Sequence, residues 1–223
     1  MKYVLCRDLD LLSQILPPAQ SALLVVDMQN DFCSPQGRLA ATGGSVAMIQ
    51  EMIPRLSFFL VRAREMGVRI IYLRHINSPE AMSEAWLSRE VLSGRNKVNL
   101  AEPETWGSEI IAELTPGPGD LIVLKHRYSG FVQTRLDLVL RAKKIKGVVV
   151  TGVSTNVCVD STARDAFMRD YFVVLPEDGV ASTVRELHLP ALVNLARYFG
   201  RVTRFEFILA AWEKAAWPAE VDR

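Results

Sequence analysis

Cysteine is scarce in this chain: Cys6, Cys33 and Cys158 are far apart, odd in number and fit no zinc-ligand spacing. A disulfide framework is therefore excluded, and reduced thiols in a cytoplasmic protein are expected. Histidine is equally scarce. His75, His126 and His188 stand at unrelated positions, and zinc catalysis needs about three protein ligands, so neither a metal nor any other cofactor is expected. A charge excess is missing too: 26 Lys and Arg against 25 Asp and Glu leave +1, with no basic run. Nucleic acid and anionic membranes thus have no electrostatic footing. No apolar run is long enough to span a bilayer, and Arg7, Asp8 and Asp10 interrupt the apolar residues of Met1 to Leu16, unlike the core of a signal peptide. There is no internal repeat and no low-complexity segment. A GxGxxG is absent after the first apolar run, where VVDMQNDF stands instead, so dinucleotide binding is excluded. Tyr128-Ser129-Gly130 does not supply the GxSxG of an α/β-hydrolase.

What is present is hydrophobic content of 49%, enough for one domain, residues 1–223, to bury a full core. Continuous aliphatic runs at Ala22 to Val26, Val68 to Leu73, Leu121 to Leu124, Val148 to Thr151 and Phe172 to Leu175 read as strands, with a short one near Arg201 to Phe205. Helical patterns fill Val46 to Met66, Leu136 to Lys143, Val159 to Arg169, Val184 to Tyr198 and the stretch through Ala215. Such alternation predicts an α/β fold, a mainly parallel six-stranded sheet covered on both faces in a three-layer sandwich. Asn77 to Pro118 is polar and punctuated by Pro and Gly; it reads as an excursion over the sheet edge with one or two short helices, of the kind that shapes a binding site.

Ligands of open parallel sheets sit outside the carboxyl ends of the strands. Three reactive side chains occupy such positions: Asp27 after the first run, Lys125 after Leu121 to Leu124, and Cys158 after Val148 to Val150. Each has an ordinary explanation, Asp27 as a cap, Lys125 as a solvated strand end and Cys158 as one more small buried hydrophobe. Together, on neighbouring strands, they would make a carboxylate, ammonium and thiol constellation. Cys158 stands where a helical pattern begins, and the N-terminus of that helix together with Lys125 would favour thiolate over thiol.

In this order VVDMQNDF, LKHRYSGF and TGVSTNVCVDSTARDA resemble the isochorismatase-like cysteine hydrolases, over about Ser21 to Asp178. The wording is closest to the ureidoacrylate amidohydrolase and N-carbamoylsarcosine amidase members. The resemblance implies a Rossmann-like sheet, a catalytic Asp27, Lys125, Cys158 triad, a non-proline cis peptide between Val153 and Ser154, and a homodimer or homotetramer. It also implies a small amide or ureido compound as substrate, with the backbone N–H groups of Ser154 and Cys158 as oxyanion donors. Nicotinamidase members carry an Asp/His metal cluster near the second strand, where this chain reads Arg74-His75-Ile76-Asn77, so metal-independent C–N hydrolysis is expected. His75, Asn77, Tyr128, Phe131 and Asn156 flank the reactive strand ends and are candidate substrate contacts, with Phe32 and Trp106 as an apolar wall; packing or turn formation is the ordinary role for each. Vinyl ether hydrolysis and a non-catalytic, partner-binding role remain alternatives at this point.

Overall fold

The computed structural model describes residues 3–92 and 99–216. Seven strands form one sheet: β1 (Ser21–Val26), β2 (Arg69–His75), β3 (Leu121–Lys125), β4 (Gly147–Val153), β5 (Phe172–Pro176), β6 (Val180–Ala181) and β7 (Arg201–Thr203). The order is β3-β2-β1-β4-β5-β7, with β6 pairing β4, and all pairings are parallel. The expected parallel sandwich is present, with one strand more than the expected six. The extra strand is β6, two residues long and therefore without an apolar run to betray it. β5 pairs with β4 only through Gly147 to Val149, and β6 takes the place beside Gly152 and Val153.

Two apolar clusters explain why both faces are covered. Residues of the central strands alternate between them: Leu23, Val25, Ile70 and Tyr72 face the helices Leu9–Ile15, Ala47–Glu65 and Phe205–Ala216, whose apolar sides join the same cluster. Ala22, Leu24, Ile71 and Leu73 face the other way, against Leu136–Ala142, Asp160–Phe167 and Arg185–Tyr198. Every residue of β1 and β4 is buried, as two-sided coverage of a parallel strand requires. Helix Leu9–Ile15 was not anticipated. Its N-cap, Asp8, accepts from the Leu11 N–H, a signal the sequence did carry.

The described part of the excursion, residues 77–92 and 99–118, continues from the carboxyl end of β2. It holds helix Glu84–Leu92 and three short 3₁₀ turns, and returns over β1, where the Ile111 N–H donates to the Met28 carbonyl and Gln29 bridges Ile110. Among the described residues, no helix is long and apolar enough to cross a membrane.

Candidate active site

β1 ends in Asp27, whose backbone takes a left-handed conformation (φ 51°) that non-glycine residues visit rarely and Asp more readily than most. Its N–H donates to the Leu73 carbonyl of β2, and its side chain is 4% exposed. Lys125, the last residue of β3, is wholly buried, and its Nζ donates to Asp27 Oδ2 at 2.8 Å and to the Arg127 carbonyl at 3.1 Å. The Cys158 thiol, also buried, lies close enough for the charges of both Asp27 and Lys125 to act on it. The three strand ends thus converge, although not on adjacent strands as expected. β1 and β4 are neighbours, but β2 lies between β1 and β3, and the long lysine stem makes up the difference.

The thiol arrives by a different local structure from the one expected. β4 ends at Gly152 and Val153; Gly152 has φ +101°, and a Cβ there would stand 2.2 Å from the Val26 carbonyl oxygen, so only glycine fits. The Val153–Ser154 peptide is cis. Instead of an α-helix starting at the cysteine, Thr155–Val159 forms a π turn that runs into helix Asp160–Phe167. The Ser154 carbonyl accepts the N–H groups of Val157 and Val159, skipping that of Cys158 between them.

Burial and the adjacent Asp27 charge push the Cys158 thiol well above its ordinary pKa, against the opposing pull of the Lys125 ammonium. The expectation of a depressed thiol pKa is therefore corrected: desolvation outweighs the cation. Burial pulls Lys125 down, but the Asp27 charge and Cys158 outweigh it and leave the ammonium strengthened. Asp27 Oδ1 is buried and without a hydrogen-bond partner among the described residues. A buried acceptor left without a partner is a ready destination for a proton.

Around the carboxyl end of β2, Phe32, His75, Trp86 and Tyr128 form an aromatic chain, with successive ring centroids 6.2, 6.0 and 4.8 Å apart. Three of these were anticipated; Trp86 was not, and Arg127 stacks over it at 5.0 Å. Asn77 spends its side chain internally: Oδ1 lies 3.0 Å from His75 Nε2 and accepts from Trp86 Nε1, while Nδ2 donates to the Leu100 carbonyl. Asn156 Oδ1 accepts from Ser182 Oγ at 2.6 Å. Phe131 is buried beside Tyr171 with the Arg169 guanidinium over its ring, the surroundings of a packing residue. Trp106 is 52% exposed and contributes its carbonyl, which accepts from Asn30 Nδ2.

Sequence reasoning missed the clamp that follows Asp27. Gln29 is fully buried and makes three hydrogen bonds: its Nε2 donates to the His75 and Ser108 carbonyls, and its Oε1 accepts the His75 N–H. Asp31 accepts from the backbone of Arg38 and Ala101, and Gly107 passes so close that a Cβ would meet the Asp31 carboxylate at 2.3 Å. Three polar side chains in a row after a buried strand were the available signal.

A metal of the nicotinamidase kind does not fit. His75 Nε2 faces Asn77, a weak amide ligand, and no group of three or more His, Cys, Asp or Glu side chains comes together among the described residues. His126 Nδ1 is held at the Ile76 carbonyl and His188 Nδ1 at the Thr155 hydroxyl.

A family model for the isochorismatase domain matches residues 21–206. The chain is 35% identical over 212 residues to ureidoacrylate amidohydrolase RutB of Methylobacterium radiotolerans, across 90% of this chain and 81% of that protein. A cysteine hydrolase from Pseudomonas syringae pv. phaseolicola is similar in structure, with a TM-score of 0.78 and 31% identity over 90% of this chain and 96% of that one. N-carbamoylsarcosine amidase from Thermoplasma acidophilum follows at a TM-score of 0.70 and 30% identity, over 84% and 97%. With its fold, its reactive strand ends and relatives named amidohydrolase and amidase, the chain belongs to the isochorismatase family of hydrolases.

Proposed function

We propose that the protein is a metal-independent amidohydrolase that cleaves a C–N bond of a small amide or ureido compound through a covalent thioester-type intermediate on Cys158. The observation that carries this is the buried trio in which Lys125 Nζ engages Asp27 Oδ2, Asp27 Oδ1 is left without a partner, and both charges act on the Cys158 thiol. Asp27 takes the thiol proton as the sulfur attacks the carbonyl carbon, and Lys125 keeps the carboxylate aimed. The tetrahedral oxyanion is met by the backbone N–H groups of Cys158 and Ser154. Asp27 returns the proton to the leaving nitrogen, which departs as ammonia or an amine. A water, deprotonated by Asp27, then attacks the thioester carbonyl, and the departing sulfur is reprotonated. The Phe32, His75, Trp86 and Tyr128 chain walls the substrate side, Asn77 ties it to the excursion, and Asn156 ties the Cys158 turn to Ser182. The relatives named for ureidoacrylate and N-carbamoylsarcosine support carbamoyl-type substrates.

The test is ammonia release over a panel of ureido acids, N-carbamoyl amino acids, biuret-like diamides and simple carboxamides, with pyruvate release from isochorismate assayed beside it and intact-protein mass measured during turnover. Turnover of one of the C–N compounds with an acyl or carbamoyl adduct on Cys158 is expected, and Cys158→Ser should lose several orders of magnitude. A Cys158→Ser variant above a tenth of wild-type activity refutes the covalent route. Turnover of isochorismate alone would move the protein to vinyl ether hydrolysis.

A further inference from the structure

We infer that His188, acting through Thr155, is a positioning residue that fixes the π turn presenting Cys158. The inference rests on the thiol chemistry proposed above. Thr155 is fully buried, and its hydroxyl lies 2.9 Å from His188 Nδ1 on helix Arg185–Tyr198. The Thr155 carbonyl also accepts the Asp160 N–H that joins the π turn to the next helix. The following residue is tied to the same stretch of chain: Asn156 Oδ1 accepts from Ser182 Oγ, which is itself bonded to the backbone of Val184. Two consecutive residues of the nucleophile turn are thus latched by side chains to residues 182–188, which otherwise have no place in the site. Burial, opposed by Glu177, pushes the imidazole below its ordinary pKa, so a neutral ring is the partner of the Thr155 hydroxyl.

The latch matters because the π turn decides which N–H groups are spent. The Ser154 carbonyl takes those of Val157 and Val159 and leaves that of Cys158. A single wide turn at a functional site is a common use of π geometry, but it has a competitor: closing to α pairing would let the Cys158 N–H donate to the Ser154 carbonyl. With Thr155 held from the side by His188, that rearrangement would break a buried hydrogen bond. The expected consequence is specific to reactions that need an oxyanion donor.

Two reagents on the same sulfur separate this from a general structural role. Acylation by p-nitrophenyl acetate passes through a tetrahedral oxyanion, whereas alkylation by iodoacetamide, at a saturated carbon, does not. In His188→Leu and Thr155→Val, the first-turnover acylation rate should fall by about 10²-fold, the scale of a displaced oxyanion donor, with iodoacetamide alkylation of Cys158 kept within about threefold. His188→Asn, which keeps a polar group near the Nδ1 position, should recover most of the acylation rate. The His188→Leu/Thr155→Val double variant should lose no more than either single one, because both remove the same bond. Wild-type acylation rates in the two single variants, equal loss of acylation and alkylation, or no recovery in His188→Asn would each overturn the positioning role. Should wild-type protein fail to acylate at Cys158, the thiol mechanism itself falls, and the latch with it.

Discussion

Replacing Lys125 by methionine tests the electrostatics of the site directly. Methionine keeps most of the stem and removes the ammonium, together with its bonds to Asp27 Oδ2 and the Arg127 carbonyl. Asp27 Oδ1 already lacks a partner, so the substitution leaves a carboxylate on a side chain 4% exposed with neither oxygen satisfied. Breaking a buried pair from one side costs about 3–5 kcal/mol, because a buried charge is left uncompensated. For a chain of this size, at about 2–4 °C per kcal/mol, Tm should fall by roughly 6–20 °C. Removing both charges is a different perturbation. Asp27→Asn/Lys125→Met buries an amide and a thioether with no ion, and should be more stable than Lys125→Met alone although it lacks one more native group. Urea unfolding followed by far-UV circular dichroism at neutral pH, with m unchanged across the set, measures both effects. A Lys125→Met variant within about 1 kcal/mol of wild type, or a double variant no more stable than the single one, would refute the buried pair.

The Asp27 charge raises the Cys158 thiol and the Lys125 charge lowers it, so the pH profile of iodoacetamide alkylation at Cys158 should move to lower pH in Asp27→Asn and to higher pH in Lys125→Met. Asp27→Asn should at the same time lose about 10²–10⁴-fold in turnover for want of a proton carrier; unmoved profiles would separate the thiol from both residues. Gln29→Leu removes three buried hydrogen bonds at the foot of the excursion and should cost about 3 kcal/mol or more, since the groups left behind stay buried; a thermal shift near zero would contradict the clamp. Protein treated with EDTA and desalted should keep full activity on its amide substrate, and loss of turnover restored by zinc or iron would require His75 to be reread as a ligand.

The sheet, its helices and the convergence of Asp27, Lys125 and Cys158 were legible because each rests on a strong local signal: near-continuous aliphatic runs, and a reactive residue where each run stops. β6 was not legible, since two residues carry no periodicity, and neither was the strand order that puts β2 between Asp27 and Lys125, because pairing is a tertiary property. The π turn escaped notice for a related reason. Its sequence, Thr155 to Val159, has ordinary helical spacing, and the wide backbone bonds to the Ser154 and Thr155 carbonyls distinguish it. Gln29 and Asp31 look like turn residues until the excursion they hold is in place. His188 looked unrelated to the site because it lies 30 residues beyond Cys158 in the chain, and only the packing of helix Arg185–Tyr198 on the π turn brings it to Thr155.

The direction of the thiol shift also changes how the nucleophile is made. A thiol pKa describes loss of the proton to solvent, which would leave an additional negative charge in a buried site, and burial opposes that strongly. Transfer from Cys158 to Asp27 is a different process. Before it the trio carries one negative carboxylate and one positive ammonium; after it, one negative sulfur and the same ammonium. The net charge is zero in both states, so burial penalises the transfer far less than it penalises ionisation to solvent. Lys125 donates to the carboxylate before transfer, and its charge favours the thiolate after it. Under the proposed mechanism such a site would keep its thiol protonated, and so less open to stray electrophiles and oxidants, until a carbonyl carbon arrived to accept the sulfur's electrons. On the proposed mechanism, activation would belong to the encounter with substrate and not to the resting protein.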